Sequence, residues 1–463
     1  MMLRDQAHPG RRQDSRRLAH YSLHPAATAS RRQSKAMSPE RKDAMPFPTP
    51  TRATRRRLLV SLATLPFLSS TPPACAFGKK SIRDFGKTYD YLKDAELRLK
   101  EVNRQRIVIK NADFSGEDFK DVSWGYFDFI DCDFKSSYNI MLIQLADCTF
   151  TNCQFHGIFK FGNTRNTRFL RCTVKGEMPI LSFSSRTNNL MFEECEFIGD
   201  SGDPNHQGGV ICHGEVEFIN CKSRWFGLSG YKKMVLKECV TYSATLETAS
   251  PGEYSDKSKM PYSDFLLEDC DFTRGVSMMN PKLNSFTLKN CKVGVFKTEG
   301  SVARGDVLVE GVKEGHLDLS ASNFQGKLTV RNCSFYKSYN GYSFQCPGIV
   351  AAYTLVENIT CGSSPANISG APNEMTEEDR LPKTQNKSLI IRNCKIPHLK
   401  VDWAQTEHLR IENCQFDYLD IKDGRIGKLE IIGCTLVKLD VSNTQVKTHD
   451  VRVPEGGKIS GHV

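Results

Sequence analysis

Counting from Ile391, every fifth residue is apolar through Ile396, Val401, Ile411, Phe416, Ile421, Ile426, Ile431, Leu436, Val441, Val446 and Val451, with Thr406 the one exception. The residues two before each, such as Leu389, Cys394, Leu399, Leu409, Cys414 and Leu419, are mostly apolar or small, and charged or amide residues fill the intervals. An amphipathic helix would place its apolar groups at i, i+3, i+4 and i+7, and a free strand would alternate by two. A two-then-three alternation held from 389 to 451 fits neither. It predicts a short extended step with two inward side chains, a corner, and then the same again. The phase is already present at Ile107/Ile109, Ala112/Phe114, Glu117/Phe119, Val122/Trp124, Phe127/Phe129 and Cys132/Phe134.

Ala112-Asp113-Phe114-Ser115-Gly116 and Cys132-Asp133-Phe134-Lys135-Ser136 resemble the pentapeptide-repeat family, whose pattern is a small residue, Asp or Asn, Leu or Phe, then two polar residues. The resemblance implies an all-β fold: a right-handed parallel β-helix, quadrilateral, with four pentapeptides per coil. The five-residue phase is clean at 107–134 and 389–451 and looser over 140–388, where irregular coils also suit a three-sided, pectate-lyase-like helix. No coil buries its apolar side chains alone, so stacking must close a continuous core. Fourteen or so coils at about 4.8 Å make a rod on the order of 65 Å.

Cysteines give an independent ruler. Cys394, Cys414 and Cys434 are 20 residues apart, and Cys132, Cys153, Cys172, Cys195, Cys221, Cys239, Cys270, Cys291, Cys333 and Cys361 extend the column backwards, with Val312 standing in between Cys291 and Cys333. Such a column predicts a ladder of small buried side chains with parallel Cβ vectors, unsuited to disulfide geometry. Cys212 and Cys346 fall outside it and are left as a conceivable pair. Paired C-x-x-C spacing for zinc is absent from the sequence, and no metal or cofactor is expected.

The charge changes the functional reading. The chain of 463 residues carries 63 Lys+Arg and 53 Asp+Glu, a formal +10, and all of that excess lies before Phe77. Residues 1–76 hold fourteen bases and four acids; the rest hold 63 − 14 = 49 bases and 53 − 4 = 49 acids. A neutral remainder argues against nucleic-acid partners and against DNA mimicry, which needs a strongly negative surface.

Residues 1–53 read as a disordered basic extension. Residues 54–76 read as an export signal: Thr54-Arg55-Arg56-Arg57-Leu58-Leu59, an apolar stretch to Leu68, then Ala74-Cys75-Ala76 as a small-x-small cleavage site. Arg55 and Arg56 with the following leucines resemble a twin-arginine signal, which implies a periplasmic or secreted protein. An ordinary secretory signal, acylation at Cys75 and a cytoplasmic chain are the competing readings. Translation from Met45 would give a signal of ordinary length, making 1–44 dispensable. Apolar residues at Ile82, Phe85, Tyr89, Leu92, Leu99 and Val102 predict a helix within 77–106 that caps the first coil of a β-helix spanning 107–453. Residues 454–463 read as a tail, and an exposed last coil is expected to support a homodimer.

Long coil spacings mark four insertions, Gly199–Val210, Ser243–Ser263, Tyr336–Pro347 and Gly362–Lys387, expected to project from one corner and so from one side. They and their flanks supply candidate binding residues: Asp200, Asp203, His206, His213, Tyr254, Tyr339, Tyr342 and Phe344, to which Trp403, outward on the inward/outward count, is added. Aromatic residues there suit a glycan or protein partner. The paired carboxylates of β-helix polysaccharide hydrolases are missing and Cys212-His213-Gly214 stands alone, so a non-enzymatic binding module is the leading expectation. A polysaccharide lyase or hydrolase and a secreted bacterial effector are the alternatives.

Overall fold

The structure is a computed structural model that describes residues 106–460 apart from 116–122, 136–142, 200–208, 230–231, 248–261, 337–340, 370–385, 453–457 and positions 280, 300, 321 and 347. Export signal, basic extension and capping segment therefore lie outside the described residues, Arg55, Arg56, Ala74 and Ala76 with them. The described residues contain no α-helix and form a 35-stranded β-solenoid in which all the strand pairings are parallel. One inward column traces it coil by coil: Ile109, Phe129, Phe150, Phe169, Phe192, Phe218, Leu236, Leu267, Leu288, Val309, Val330, Val356, Ile391, Ile411, Ile431 and Val451. Phenylalanines in this column stack face to face at 4.9, 4.7, 4.8 and 4.8 Å from Phe129 to Phe218, so the ring spacing reproduces the strand spacing.

A regular coil shows why the sequence period is five. Cys394/Ile396, Leu399/Val401, Ala404/Thr406 and Leu409/Ile411 are four consecutive inward pairs, all buried. Between pairs the chain turns. The turn before the Cys is the sharpest: Asp131, Asn152, Asn220, Asn290, Asn332, Asn393 and Asn413 all have φ near +50°. Asn and Asp tolerate this left-handed conformation better than other side chains. They also bond to one another between coils, Asn152 Nδ2 donating to Asp131 Oδ1 at 3.0 Å and Asn358 Nδ2 to Asn332 Oδ1 at 2.9 Å. Gly311 and Gly433 occupy the same corner at φ +68° and +65°.

The next residue is the Cys, and its thiol lies between two carbonyl oxygens. Cys153 Sγ is 3.4 Å from Thr151 O in its own coil and 3.5 Å from Phe129 O in the coil before, and Cys291 repeats this with Lys289 and Leu267. All sixteen described cysteines are buried and free. Three assignments change. Cys361 is not in the column: Ile359 follows the left-handed Asn358, and Cys361 pairs in register with Phe335, one inward position on. The 28-residue spacing from Cys333 concealed that shift of two. Cys148 lies in another inward column, between Phe127 and Thr167, after the left-handed Asp147. Cys212 and Cys346 do share an inward column, Cys212, Leu228, Leu246, Met278, Thr298, Leu319, Cys346, but six coils separate them, so they cannot form a disulfide.

Outside the fourth pair, register assembles a ladder of alternating charge: Lys237, Glu268, Lys289, Glu310, Arg331, Glu357, Arg392, Glu412. Lys289 reaches Glu268 at 2.8 Å, Arg331 reaches Glu310 at 3.0 Å and Arg392 reaches Glu357 at 2.6 Å. The solenoid also continues past the expected boundary at 453, because Lys458–Ser460 pairs with Lys438–Asp440 as a further strand.

Candidate binding face

The insertions do not share one corner. The first two coil breaks show the difference: the chain leaves after Gly199 and rejoins at Gly209, directly before the inward Val210, whereas it leaves again after Glu247, directly beyond the inward Leu246. Register equates Val210 with Phe344 through Phe226, Ala244, Val276, Phe296 and Leu317, so the third insertion enters at the same corner as the first. The fourth leaves after Ser369, past Ala366 and Ile368, at the corner of the second. Residues 362–369, expected within that insertion, are part of a coil. Two corners therefore carry insertions, and they bound a single side of the solenoid, the one with the second inward pair. Phe344, expected in a loop, is wholly buried and stacks on Phe335 at 5.5 Å.

Outward residues on that side run in two columns. One passes through Gly209, Trp225, Ser243 and Gly275, the other through Ile211, Gly227, Thr245 and Ser277. Trp225 is half-buried, and its six-membered ring occupies the space over Gly227: a Cβ built there would lie 2.4 Å from Cη2 and 2.6 Å from Cζ2. Glycine is required because the indole takes the place of the side chain. The indole Nε1 donates to Thr245 Oγ1 at 3.3 Å, which ties it across to the next coil. One strand step beyond Gly227, register aligns His213, Ser229 and Glu247 on three successive coils, and His213 Nδ1 hydrogen-bonds the Ser229 hydroxyl. His213 was expected from the sequence; Trp225, Ser229 and Glu247 were not. A Trp followed by Gly two residues later inside a strand is the signal that would have found the platform.

Farther along, the same side becomes charged. Lys297, Asp318, Gln345, Asn367, Lys400, Asp420 and Asp440 form one column, in which Gln345 Nε2 donates to Asp318 at 2.7 Å. Lys422 stands 3.5 Å from Asp420 and 3.3 Å from Asp440, and His398 Nε2 is 2.9 Å from Asp420. The Ser442 hydroxyl and amide, then Lys422, hold Asp440 down at about 2. His316, wholly buried beside Ser343, has its pKa lowered by burial.

Of the remaining candidates, Tyr342 is half-buried on this side with Lys400 Nζ 5.7 Å from its ring centre. Trp403 is outward and 45% exposed, as the inward/outward count predicts, at a corner with φ +52°. Its coil rises above the root of the fourth insertion, since Ile368 N donates to Lys400 O. Nearby, Gln405, Glu407, Arg425, Gly427, Gln445 and Lys447 line an open notch of about 350 Å³. Asp200, Asp203, His206, Tyr254 and Tyr339 lie outside the described residues. Among the described residues no three His, Cys, Asp or Glu side chains are grouped for a metal ion, and no helix is long and apolar enough to cross a membrane.

Compared with known protein families, with curated proteins and with solved structures, the chain matches none.

Proposed function

We propose that this chain is an exported, non-enzymatic binding module, a right-handed pentapeptide-repeat-like β-helix that presents the insertion-bounded side to an extended glycan or protein. The observation that carries it is that four insertions leave the coils at the two edges of one side. Four inward pairs in coils near 20 residues support the quadrilateral form, while the 18 residues from Cys221 to Cys239 leave room for only three sides. Sixteen buried, free thiols fit folding in the reducing cytosol before passage through a twin-arginine route. A reporter fused behind residues 45–76 should reach the periplasm, and Arg55→Lys with Arg56→Lys should strand it in the cytoplasm.

Binding is tested on polysaccharide and protein arrays with the intact chain and with variants lacking 200–208 or 248–261. Retention without turnover that falls at least tenfold in both deletions is the expected result; equal retention in both would sink the reading. The His213–Ser229 hydrogen bond favours one second reading, a hydrolase using Ser229 as nucleophile and His213 as base. Release of soluble products, abolished by Ser229→Ala, would establish it instead. A homodimer through the last coil is also proposed. Val446 and Val451 there are only half-buried, and His449 stands exposed at the position that Leu409 and Leu429 fill in earlier coils. Light scattering that finds a strict monomer ends that part.

A further inference from the structure

We propose that Trp225 is the stacking platform of a subsite for a neutral glycan, with His213 and Glu247 receiving the sugar hydroxyls and the buried Ser229 orienting the imidazole. This rests on the binding-face reading and deepens it by naming the ligand class.

Three features converge on one spot. The indole lies against Gly227, so one side of the ring system is taken up by backbone and the ring cannot sink further. Its single donor is already bonded to Thr245 Oγ1 across the coil spacing, which fixes the ring's orientation before any ligand arrives. What it offers outward is the electron-rich π face, which attracts the weakly positive C–H groups on the flat side of a pyranose ring. A flat, pre-oriented aromatic surface takes such a ring with little loss of side-chain entropy.

The second feature is the polar row. Ser229 and Glu247 stand in register with His213 on successive coils, two residues along the strand from the column of Ile211, Gly227 and Thr245. That offset is about 6.6 Å, the distance from the middle of a stacked sugar to its equatorial hydroxyls and their partners. A carboxylate accepts from hydroxyls and an imidazole donates or accepts, so Glu247 and His213 suit a polyol, while Ser229, 6% exposed and bonded to the ring, orients the imidazole; a purely apolar ligand would be left unmatched.

The third is charge. The floor around the indole, Gly209, Ile211, Ser243, Thr245 and Ser277, is uncharged, and the nearest charge in the row is the negative Glu247. Arg224 and Arg274 precede Trp225 and Gly275 at the edge opposite Glu247, Arg274 lying 6.0 Å from the Tyr242 ring, so a uronate reaching the row would meet that carboxylate without a cation on the floor to balance it. Lys297 enters only three coils beyond Trp225. A neutral glycan fits this surface and an acidic one does not.

The test uses the full chain carrying Trp403→Phe, so that ligand-dependent tryptophan emission comes from Trp225, Trp124 being 1% exposed in the core. Hexaoses of β-linked glucose, xylose and mannose and a hexamer of galacturonate are titrated singly by fluorescence and calorimetry. At least one neutral hexaose should saturate a change in emission. Trp225→Ala should then weaken calorimetric binding at least tenfold, Trp225→Phe should retain part of it, and Glu247→Gln and Ser229→Ala should each weaken it severalfold, with the melting temperature unmoved in the last two. Binding of the galacturonate alone, or of none of the four, overturns the inference. Binding that falls in the insertion deletions but persists in both Trp225→Ala and the row variants also overturns it, and leaves the broader reading of the face standing.

Discussion

At the scale of single residues, one corner device recurs along the solenoid: a left-handed residue, mostly Asn or Asp but Arg171, Glu194 and Glu238 in three coils, followed by an inward Cys. Asn332 at φ +56° illustrates it, with its Oδ1 accepting from Asn358. Asn332→Ala should cost about 1–2 kcal/mol, because Ala pays for the left-handed backbone and leaves a partner unbonded. Asn332→Gly should cost less, since Gly311 already holds that corner one coil away; urea titration of the two variants checks the order. The cysteines form the other half. Burial pushes Cys148 and Cys333 up to about 12, which keeps the thiols neutral and unreactive at physiological pH. Because all sixteen are buried, none should react with an aromatic disulfide reagent until denaturant is added. The Cys column was legible in the sequence, but the residue preceding each Cys, which is what makes the corner, was overlooked although Asn-Cys recurs at 332–333, 393–394 and 413–414. Cys361 was misplaced for the opposite reason: a ruler made of spacings cannot tell a long insertion from one that also shifts the phase by two.

Between strands, the alternating ladder from Lys237 to Glu412 gives the net charge of zero a structural meaning. Opposite charges directly across a parallel pair stabilise the register and like charges oppose it. Lys289→Glu would set three acids in a row, Glu268, residue 289 and Glu310, and should lower stability by about 1 kcal/mol, modest because the side chains are partly solvated. Adding Glu268→Lys should recover part of that loss in a double-mutant cycle. Paired carboxylates in this ladder and in two other columns also set an acid limit. Lys289 lowers the pKa of Glu268, Lys428 and then His408 lower that of Glu430, and Asp440 is held near 2. Groups whose folded pKa lies below the unfolded one stabilise the fold above about pH 4 and cease to as pH falls through the folded value. Thermal melts should therefore be flat from neutrality to about pH 5 and fall steeply below pH 4. A melting temperature unchanged at pH 3 would show that these pairs contribute nothing. None of this ladder was visible beforehand, because its members lie 20 to 35 residues apart and only the register of the strands aligns them.

Over the whole molecule, the core is a single continuous stack, and its energetics are those of neighbours on neighbours. Phe150 lies between Phe129 and Phe169 and is fully buried, so Phe150→Ala should destabilise by about 3–5 kcal/mol. Hydrogen exchange should rise first in the coils adjoining it and least in those beyond Ile391. A uniform rise along the chain would mean that the solenoid unfolds as one unit. The inward/outward period and the buried column follow from sequence alone, because a five-residue phase leaves each apolar residue only one side on which to be covered. The location of a candidate site does not follow. His213, the Trp225–Ser229 strand and Glu247 come from three successive coils, and neither a common side for the insertions nor a polar row beside the indole exists until irregular coils of 18 to 35 residues are stacked in register. Local periodicity dictates which side chains point inward; only the parallel hydrogen-bond ladder, which sets coil against coil, decides which outward side chains meet.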